Sequence, residues 1–199
     1  MIGGGVIGLE MGSVYQRFGT KVTVVEFLDE ICPSLDKEVA KSFNKILTKQ
    51  GLKILTSHKV VSGKNHGTHG EITIEPVKGG DKITLSADHI LVSTGRKPHT
   101  DNLALDKAGV KMDDKGRVVV DDHLKTNVPN IYGIGDVVRG AMLAHKAEDE
   151  GIFVAESIAG KPCHINYLAI PSVIYTYPEV AVVGHTEEEL KQKGIINIM

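Results

Sequence analysis

A glycine-rich loop lies at the start of the sequence, where Gly3, Gly5 and Gly8 form the spacing G-x-G-x-x-G. In a parallel α/β fold such a loop joins a buried strand to a helix, and its backbone N–H groups approach the pyrophosphate of a dinucleotide. Only Met1 and Ile2 precede it, whereas a strand normally has about five or six residues. We therefore expect a phosphate-binding loop whose supporting strand is shortened.

The residues after the loop complete the first part of a Rossmann-type unit. The pattern predicts a helix that ends at Gly19 and a buried strand from Lys21 to Val25, which leads to Glu26. An acid at this place accepts hydrogen bonds from the adenosine ribose and repels the 2′-phosphate of NADP. Because no arginine lies near Glu26 in the sequence, the site favours NAD. The alternatives are a tight turn without a ligand and a carboxylate that is merely solvated. The residues expected on the apolar face of the helix are Val6, Leu9, Met11, Val14 and Phe18.

A second helix and strand continue this pattern. Residues 36–50 are amphipathic and predict a helix, and residues 52–55 predict a short strand. The resulting β-α-β-α-β order indicates a parallel sheet covered by helices. The residues expected on the apolar face of the second helix are Val39, Phe43, Ile46 and Leu47.

An antiparallel insertion interrupts the parallel pattern. Residues 59–86 contain alternating apolar segments between glycine-rich polar turns, which predicts a β-meander. Residues 88–95 then return to a buried strand, and Pro98 marks a domain boundary. The fold class is therefore α/β, a Rossmann-like parallel sheet with an inserted antiparallel meander.

The second half of the chain contains another strand-and-acid motif. Residues 131–136 read as a strand that ends in Gly135 and Asp136, which would place a carboxylate at the edge of a sheet where such folds bind ligands. A helix cap or a turn acid is the alternative interpretation of Asp136. The elements predicted after it are a helix at 143–159, strands at 172–176 and 180–183, a helix at 186–193 with a capping box between Thr186 and Glu189, and a strand that begins near Met199.

Composition excludes several classes of function. The formal net charge is −2, tryptophan is absent and aromatic residues make up 5% of the chain, so nucleic acid is not an expected partner. No apolar run approaches the ~18 residues of a membrane span, and no targeting segment is visible. Cys32 and Cys163 fit no metal or redox spacing, and we interpret them as free structural thiols. His66 and His69 lack a third ligand, so no metal site is predicted.

Five stretches of the sequence form a recognisable set, namely residues 3–12, 92–98, 130–136, 142–151 and 171–184. Together they resemble the dihydrolipoamide dehydrogenases, flavoproteins of the pyridine nucleotide–disulfide oxidoreductase family. The run M-L-A-H-K-A-E-D-E-G is similar to this group in particular. Tyr177 is a departure, because the family usually has histidine at this place. The resemblance implies FAD and NAD as cofactors, a homodimer, and dihydrolipoamide on a carrier domain of a 2-oxo acid dehydrogenase complex as partner.

The resemblance also implies a role for each candidate residue. Glu10 matches the glutamate that pairs with a lysine beside the flavin, and Asp136 would bind the ribityl chain of FAD. Val60 would line the adenine side of NAD, and Gly95 the nicotinamide side. The remaining residues implied in NAD binding are Gly3, Gly4, Gly5, Val6, Ile7, Gly8, Leu9 and Glu26. Those that would place a helix N-terminus, with its positive end, against the flavin are Met142, Leu143, Ala144 and His145.

The catalytic groups of the family, a reactive disulfide and a His-Glu pair, are implied to lie outside this chain. We therefore expect no catalytic residue in the chain and no lipoamide turnover by the chain alone. The implied domains are an NAD-binding domain at 1–98, the C-terminal part of an FAD-binding domain at 99–160 and the start of an α+β interface domain at 161–199. The location would be the mitochondrial matrix in a eukaryote and the cytoplasm in a bacterium. A non-catalytic NAD-binding module, a soluble transhydrogenase and an NADH oxidase remain alternatives.

Overall fold

The computed structural model describes residues 1–195, and the strand expected near Met199 lies outside this range. The chain forms two compact units. The first contains Met1–Gly95 together with the described residues from Val173 onward, and the second contains Arg96–Ser172. No helix within residues 1–195 is long and apolar enough to cross a bilayer. The three-domain division proposed from the sequence stays a prediction.

The first unit has the parallel arrangement that the sequence predicts. The strands β1 and β2 pair in parallel, and Ile2 forms parallel bridges to both Val25 and Val92. Ile2, which belongs to the shortened strand, therefore lies between β1 and the segment at Val92. The elements of this part are α1 (Val6–Arg17), β1 (Thr23–Val25), α2 (Lys37–Lys49) and β2 (Lys53–Leu55).

The segment at residues 88–95 forms a single bridge to Ile2, and the expectation of a buried strand there is wrong. The N–H of Ile2 donates to Leu91 O at 2.8 Å, and the N–H of Ser93 donates to Ile2 O at 2.8 Å. Val92 is nevertheless 66% exposed. The neighbouring strand contributes only Ile2 to the pairing, so the ladder ends after one bridge and most of the segment stays uncovered.

The predicted apolar face of α1 is also wrong in part. Leu9 is fully buried, whereas Val6 and Val14 are exposed and Phe18 is 83% exposed. The helix instead buries small residues against the sheet. A Cβ added to Gly12 would already be in van der Waals contact, at 3.5 Å, with the side chains of Val22 and Leu52. The remaining buried residues of this face are Gly8, Gly12 and Ser13.

The buried face of α2 is narrower than expected. Phe43 and Leu47 are buried as predicted, but Val39 and Ile46 are exposed, and Ala40 takes the inner position. An i, i+3, i+7 stripe is enough to cover this short sheet. The core of the first unit contains Leu9, Val22, Val24, Ile31, Cys32, Leu35, Ala40, Phe43, Leu47, Leu52 and Ile174.

The antiparallel meander is confirmed. Three strands pair in the order β3-β4-β5, with a register shift between Val60 and Ser62. Ile72 and Ile74 on the central strand are buried together with Val25, so the meander packs beside the parallel strands. The strands are β3 (His58–Asn65), β4 (Gly70–Pro76) and β5 (Ile83–Ala87).

The two strands and the helix predicted between Pro171 and Lys193 are present. The strands β6 (Ser172–Ile174) and β7 (Val180–Val182) form a two-stranded sheet. The helix α4 (Glu187–Gln192) begins after Thr186, whose side chain accepts from the N–H of Glu189 in the capping box that the sequence predicts.

The second unit consists mainly of turns around one helix, α3 (Ala144–Ile158). The strand predicted to end at Asp136 does not form a ladder, because its only strand pairing within residues 1–195 is a bridge between Lys125 and Tyr132. A 3-10 turn at Gly135–Val137 holds Asp136 instead, and a second such turn covers Tyr167–Ala169. The buried core of this unit contains Val110, Val118, Val120, Leu124, Val138 and Phe153.

Candidate functional site

Close packing fixes the shape of the glycine loop. Gly3 has a φ of +106°, and a Cβ there would lie 2.4 Å from Ser93 O. A Cβ on Gly8 would lie 2.2 Å from Gly3 O. Both positions therefore require glycine for the fold itself, because a side chain would collide with the backbone.

Gly5 has a different environment. Its φ is −79°, which any residue adopts, and a Cβ placed on it would meet no atom within 4 Å. Within residues 1–195, the N–H of Gly5 donates to no acceptor. The fold therefore does not require glycine here, and the residue leaves open space and a free donor at the start of α1. Such a place suits the backbone approach of an anion.

Glu26 is anchored beside this loop. Its Oε2 accepts from the N–H of Gly4 at 2.5 Å, and its Oε1 accepts from the N–H of Leu28 at 2.8 Å. Each carboxylate oxygen can accept a second hydrogen bond, so the side chain is oriented without being saturated. No lysine, arginine or histidine within the described range forms an ion pair with Glu26.

The other residues predicted around NAD lie in the same unit. Val6 and Ile7 are exposed in the first turn of α1, while Leu9 is buried beneath them. Val60 packs on the buried cluster that contains Val25, and Val25 is the residue directly before Glu26. Gly95 has a φ of +119° and open space around it, two residues after Ser93.

Glu10 has a partner that the sequence did not reveal. Its Oε1 accepts from the backbone N–H of Tyr175 at 2.8 Å. This contact ties α1 to the segment after β6. The lysine pairing that the resemblance implies for Glu10 stays a prediction.

Ser93 is a residue of this site that sequence reasoning missed. Its hydroxyl donates to Ile2 O at 3.1 Å and reaches Gly3 O at 3.4 Å. Its position in the run V-S-T-G gives no signal of this contact, because the contact depends on Ile2 lying beside it in the sheet. Ser93 therefore holds the backbone at the start of the glycine loop through its hydroxyl.

In the second unit, Arg96 connects two of the predicted flavin-binding residues. Its guanidinium lies 3.6 Å from the Asp136 carboxylate and also donates to Met142 O. The helix α3 follows Leu143 and has no side-chain cap, so the N–H groups of its first turn are available to a ligand. His145 in that turn donates from Nε2 to Pro171 O at 2.7 Å.

A buried ion pair behind Asp136 was also missed from the sequence. Lys146 Nζ lies 3.0 Å from Glu150 Oε1 and donates to Gly135 O at 3.1 Å. Glu150 Oε2 in turn accepts from the N–H of Gly135 at 2.7 Å. Tyr167 donates to Glu150 Oε1 at 3.0 Å, and burial together with the Glu150 charge raises the pKa of Tyr167 to about 12. The pair thus binds both backbone groups of Gly135.

Comparison with known proteins identifies the family to which this arrangement belongs. Residues 1–151 match the family described as pyridine nucleotide-disulphide oxidoreductase, and residues 170–198 match the dimerisation domain of the same family. The chain belongs to the pyridine nucleotide-disulphide oxidoreductases. The resemblance inferred from the sequence is thereby confirmed.

Individual members of the family are similar over nearly the whole chain. The mitochondrial dihydrolipoyl dehydrogenase of Caenorhabditis elegans is 52% identical over 98% of the chain, and the dihydrolipoyl dehydrogenase of Manduca sexta is 54% identical over 98%. The chain spans 40% of the length of each of these relatives. Among solved structures, the flavoprotein disulfide reductase RclA of Escherichia coli has a TM-score of 0.85 and 29% identity, covering 97% of this chain and 43% of that protein.

The thiols of this pyridine nucleotide-disulphide oxidoreductase chain are not arranged as a redox pair. Cys32 and Cys163 are both free, and Cys32 is buried. Burial, with the charges of Glu26 and Glu10, raises the pKa of Cys32 to about 12. The thiol therefore stays protonated and unreactive at neutral pH. His66 and His69 stack with ring centroids 4.7 Å apart, and no metal-binding group of three or more ligands occurs in the described part of the chain.

Proposed function

We propose that this chain supplies the NAD site and part of the FAD site of a dihydrolipoamide dehydrogenase. The complete enzyme would oxidise dihydrolipoamide to lipoamide and reduce NAD through FAD. Membership of the family supports this proposal, as do relatives of that name at about half identity. The observation that carries it is that one loop contains two features together. The Gly5 N–H has no partner within residues 1–195 and has open space beside it, and the Glu26 carboxylate is held in place by the neighbouring Gly4.

The residues of the first unit fit NAD. Gly5 and the first turn of α1 would bind the pyrophosphate through backbone N–H groups, since a Cβ at Gly5 would fill the space that the ligand needs. Glu26 would accept from the adenosine ribose hydroxyls with the acceptor capacity that Gly4 and Leu28 leave free. We further assign the adenine side to Val60 and the nicotinamide side to Gly95, as the family resemblance implies.

The residues of the second unit fit part of an FAD site. Asp136 is half exposed and Arg96 holds it at the surface of the turn, where it would accept from the ribityl hydroxyls. The uncapped first turn of α3, from Met142 to His145, would direct N–H groups and the positive helix end toward the flavin. Bound FAD carries electrons between a disulfide and nicotinamide. The chain's own residues bind and orient the cofactors in this scheme.

The substrate and the partners extend the proposal. Dihydrolipoamide on a carrier domain of a 2-oxo acid dehydrogenase complex would be the electron donor, and the dimerisation-domain match supports a homodimer. Relatives named as mitochondrial support a place in the mitochondrial matrix for a eukaryotic protein. Import of a tagged protein into isolated mitochondria tests that location.

A non-catalytic NAD-binding module is the second candidate. The inert Cys32 thiol and the absence of a cysteine pair within residues 1–195 favour it for the chain taken alone. An assay of NAD reduction by dihydrolipoamide separates the two roles. NAD binding without turnover by the isolated chain fits both, whereas a complete protein that binds NAD and FAD but never oxidises dihydrolipoamide supports the module. A complete protein that transfers electrons from NADH to NADP would support the soluble transhydrogenase. One that transfers electrons from NADH to oxygen would support the NADH oxidase.

The substitution Glu26→Arg tests the cofactor assignment. An arginine removes the acceptor for the ribose and adds a cation for a 2′-phosphate, so the affinity should shift from NAD toward NADP by about tenfold or more. Asp29→Arg is the matched control, since it makes the same change of charge at an exposed position of the same segment. An unchanged preference in Glu26→Arg, or an equal shift in both variants, would count against Glu26 as the ribose acceptor.

A further inference from the structure

Both backbone groups of Gly4 are held by residues that follow β1. The N–H of Gly4 donates to Glu26 Oε2 at 2.5 Å, and the carbonyl of Gly4 accepts from the backbone N–H of Cys32 at 3.1 Å. The Cys32 thiol lies on the same side, with Sγ 3.7 Å from Gly4 O. The residue between the first two glycines of the motif is thus fixed by two contacts that are distant in sequence.

Peptide geometry passes this constraint to Gly5. The carbonyl of Gly4 and the N–H of Gly5 belong to one planar, trans peptide unit, so they point in opposite directions. Because the carbonyl is turned toward the buried Cys32, the N–H of Gly5 is turned away from it. This is the donor that lacks a partner within residues 1–195 and has open space beside it.

The backbone at Cys32 is unusual in a way that serves this contact. Cys32 is 1% exposed and has a φ of +45°, a left-handed conformation that few residues other than glycine adopt. A β-branched side chain is a genuine outlier in that conformation, whereas alanine tolerates it as well as cysteine does. The identity of the residue at this position therefore controls where its N–H points.

We propose that Cys32 is a positioning residue of the NAD site, which acts through its backbone N–H on Gly4 and so directs the Gly5 N–H toward the pyrophosphate. The inference rests on the proposed NAD site. It assigns Cys32 no contact with the ligand and no redox role. Its specific consequence is that Cys32 affects recognition of the pyrophosphate and leaves recognition of the adenosine, which depends on Glu26, unchanged.

The test compares Cys32→Val with Cys32→Ala in the 199-residue chain. Both variants remove the thiol, but only valine disfavours the left-handed backbone. NAD, ADP and adenosine are titrated by calorimetry and NMR, with thermal unfolding as a check of the fold. We expect Cys32→Val to weaken NAD and ADP by about tenfold, which is the loss of one hydrogen bond to a charged group. Adenosine should bind equally to all proteins, and Cys32→Ala should keep the parent affinity for every ligand.

The possible outcomes separate this inference from the proposed function. An unchanged ADP affinity in Cys32→Val overturns the positioning role and leaves the NAD site standing. An equal loss of ADP and adenosine also overturns it, because Cys32 would then support the fold in general. If the parent chain binds neither NAD nor ADP, the proposed function fails first and the inference fails with it. A loss of affinity in Cys32→Ala would assign the effect to the thiol and contradict the role of the backbone.

Discussion

Lys146 and Glu150 form an ion pair with 2% and 1% of their side chains exposed, and Nζ and Oε1 lie 3.0 Å apart. The two residues are separated by one helical turn on α3, and between them they bind the N–H and the carbonyl of Gly135. The turn that contains Asp136 is thereby attached to the helix by charged groups. A buried pair is stabilising only when its geometry is this complete, because removal of two charges from water is costly.

The first prediction concerns that ion pair. Lys146→Met leaves the Glu150 carboxylate buried without its counter-charge, so we expect a loss of about 3–5 kcal/mol in the stability of the second unit. Lys191→Met is the matched control, because Lys191 and Glu187 are a pair of the same spacing on an exposed helix. Hydrogen exchange of the α3 amides measures the loss in Lys146→Met, and exchange of the α4 amides measures that in the control. An effect of Lys146→Met no larger than that of Lys191→Met would show that the buried pair adds nothing to stability.

The second prediction concerns the Tyr167 hydroxyl. Its pKa is raised from 10.0 to about 12 by burial and by the Glu150 charge. A raised pKa means that the folded state favours the protonated hydroxyl. The contribution of Tyr167 to the free energy of unfolding is therefore complete below pH 10 and is lost as the pH rises toward 12. Unfolding of the second unit should therefore become easier over that window, whereas Tyr167→Phe should lose this pH dependence. Identical alkaline profiles for the parent and the Phe variant would contradict the assigned hydrogen bond.

The third prediction separates two glycines of the same motif. Gly8→Ala places a Cβ 2.2 Å from Gly3 O, so we expect a loss of roughly 1–3 kcal/mol in stability from overpacking. Gly5→Ala places its Cβ in open space, so the fold should be unaffected while the Kd for NAD rises by about tenfold. Urea unfolding and NAD titration of both variants measure the difference. If Gly5→Ala binds NAD as tightly as the parent, the space beside Gly5 is not where the pyrophosphate lies.

The fourth prediction concerns the two cysteines. Cys32 is buried with a pKa of about 12, whereas Cys163 is partly exposed, so a thiol reagent at neutral pH should modify only Cys163 in the folded chain. Both should react after denaturation. Mass spectrometry of the labelled peptides identifies the site. Rapid labelling of Cys32 in the native protein would show that its segment opens and that its contact with Gly4 is broken.

The sequence predicted most of the elements because each carries a local signal. The glycine spacing before α1, the alternation of β3 to β5 and the Thr186–Glu189 capping box depend on neighbouring residues, and all three are present. The placement of Glu26 beside the loop followed from the same regular βαβ geometry.

The features that were missed depend on contacts between distant residues. The apolar pattern of α1 suggested that Val14 and Phe18 face the core, but close helix–sheet contact is made by Gly8 and Gly12, which carry no hydrophobic signal. Likewise, Lys146 and Glu150 have the spacing of an ordinary exposed pair. The turn at Gly135 and Tyr167 fold against them, and no periodicity in the sequence indicates those contacts.

The central claim is an NAD site formed by Gly5 and Glu26, and direct titration of the chain with NAD and NADP tests it most simply. In the proposed site the Glu26 carboxylate would accept from a ribose hydroxyl and would repel a 2′-phosphate, so we predict that NAD binds at least about tenfold more tightly than NADP. Equal affinities for the two nucleotides, tighter binding of NADP, or no binding of either to the folded chain would contradict the account.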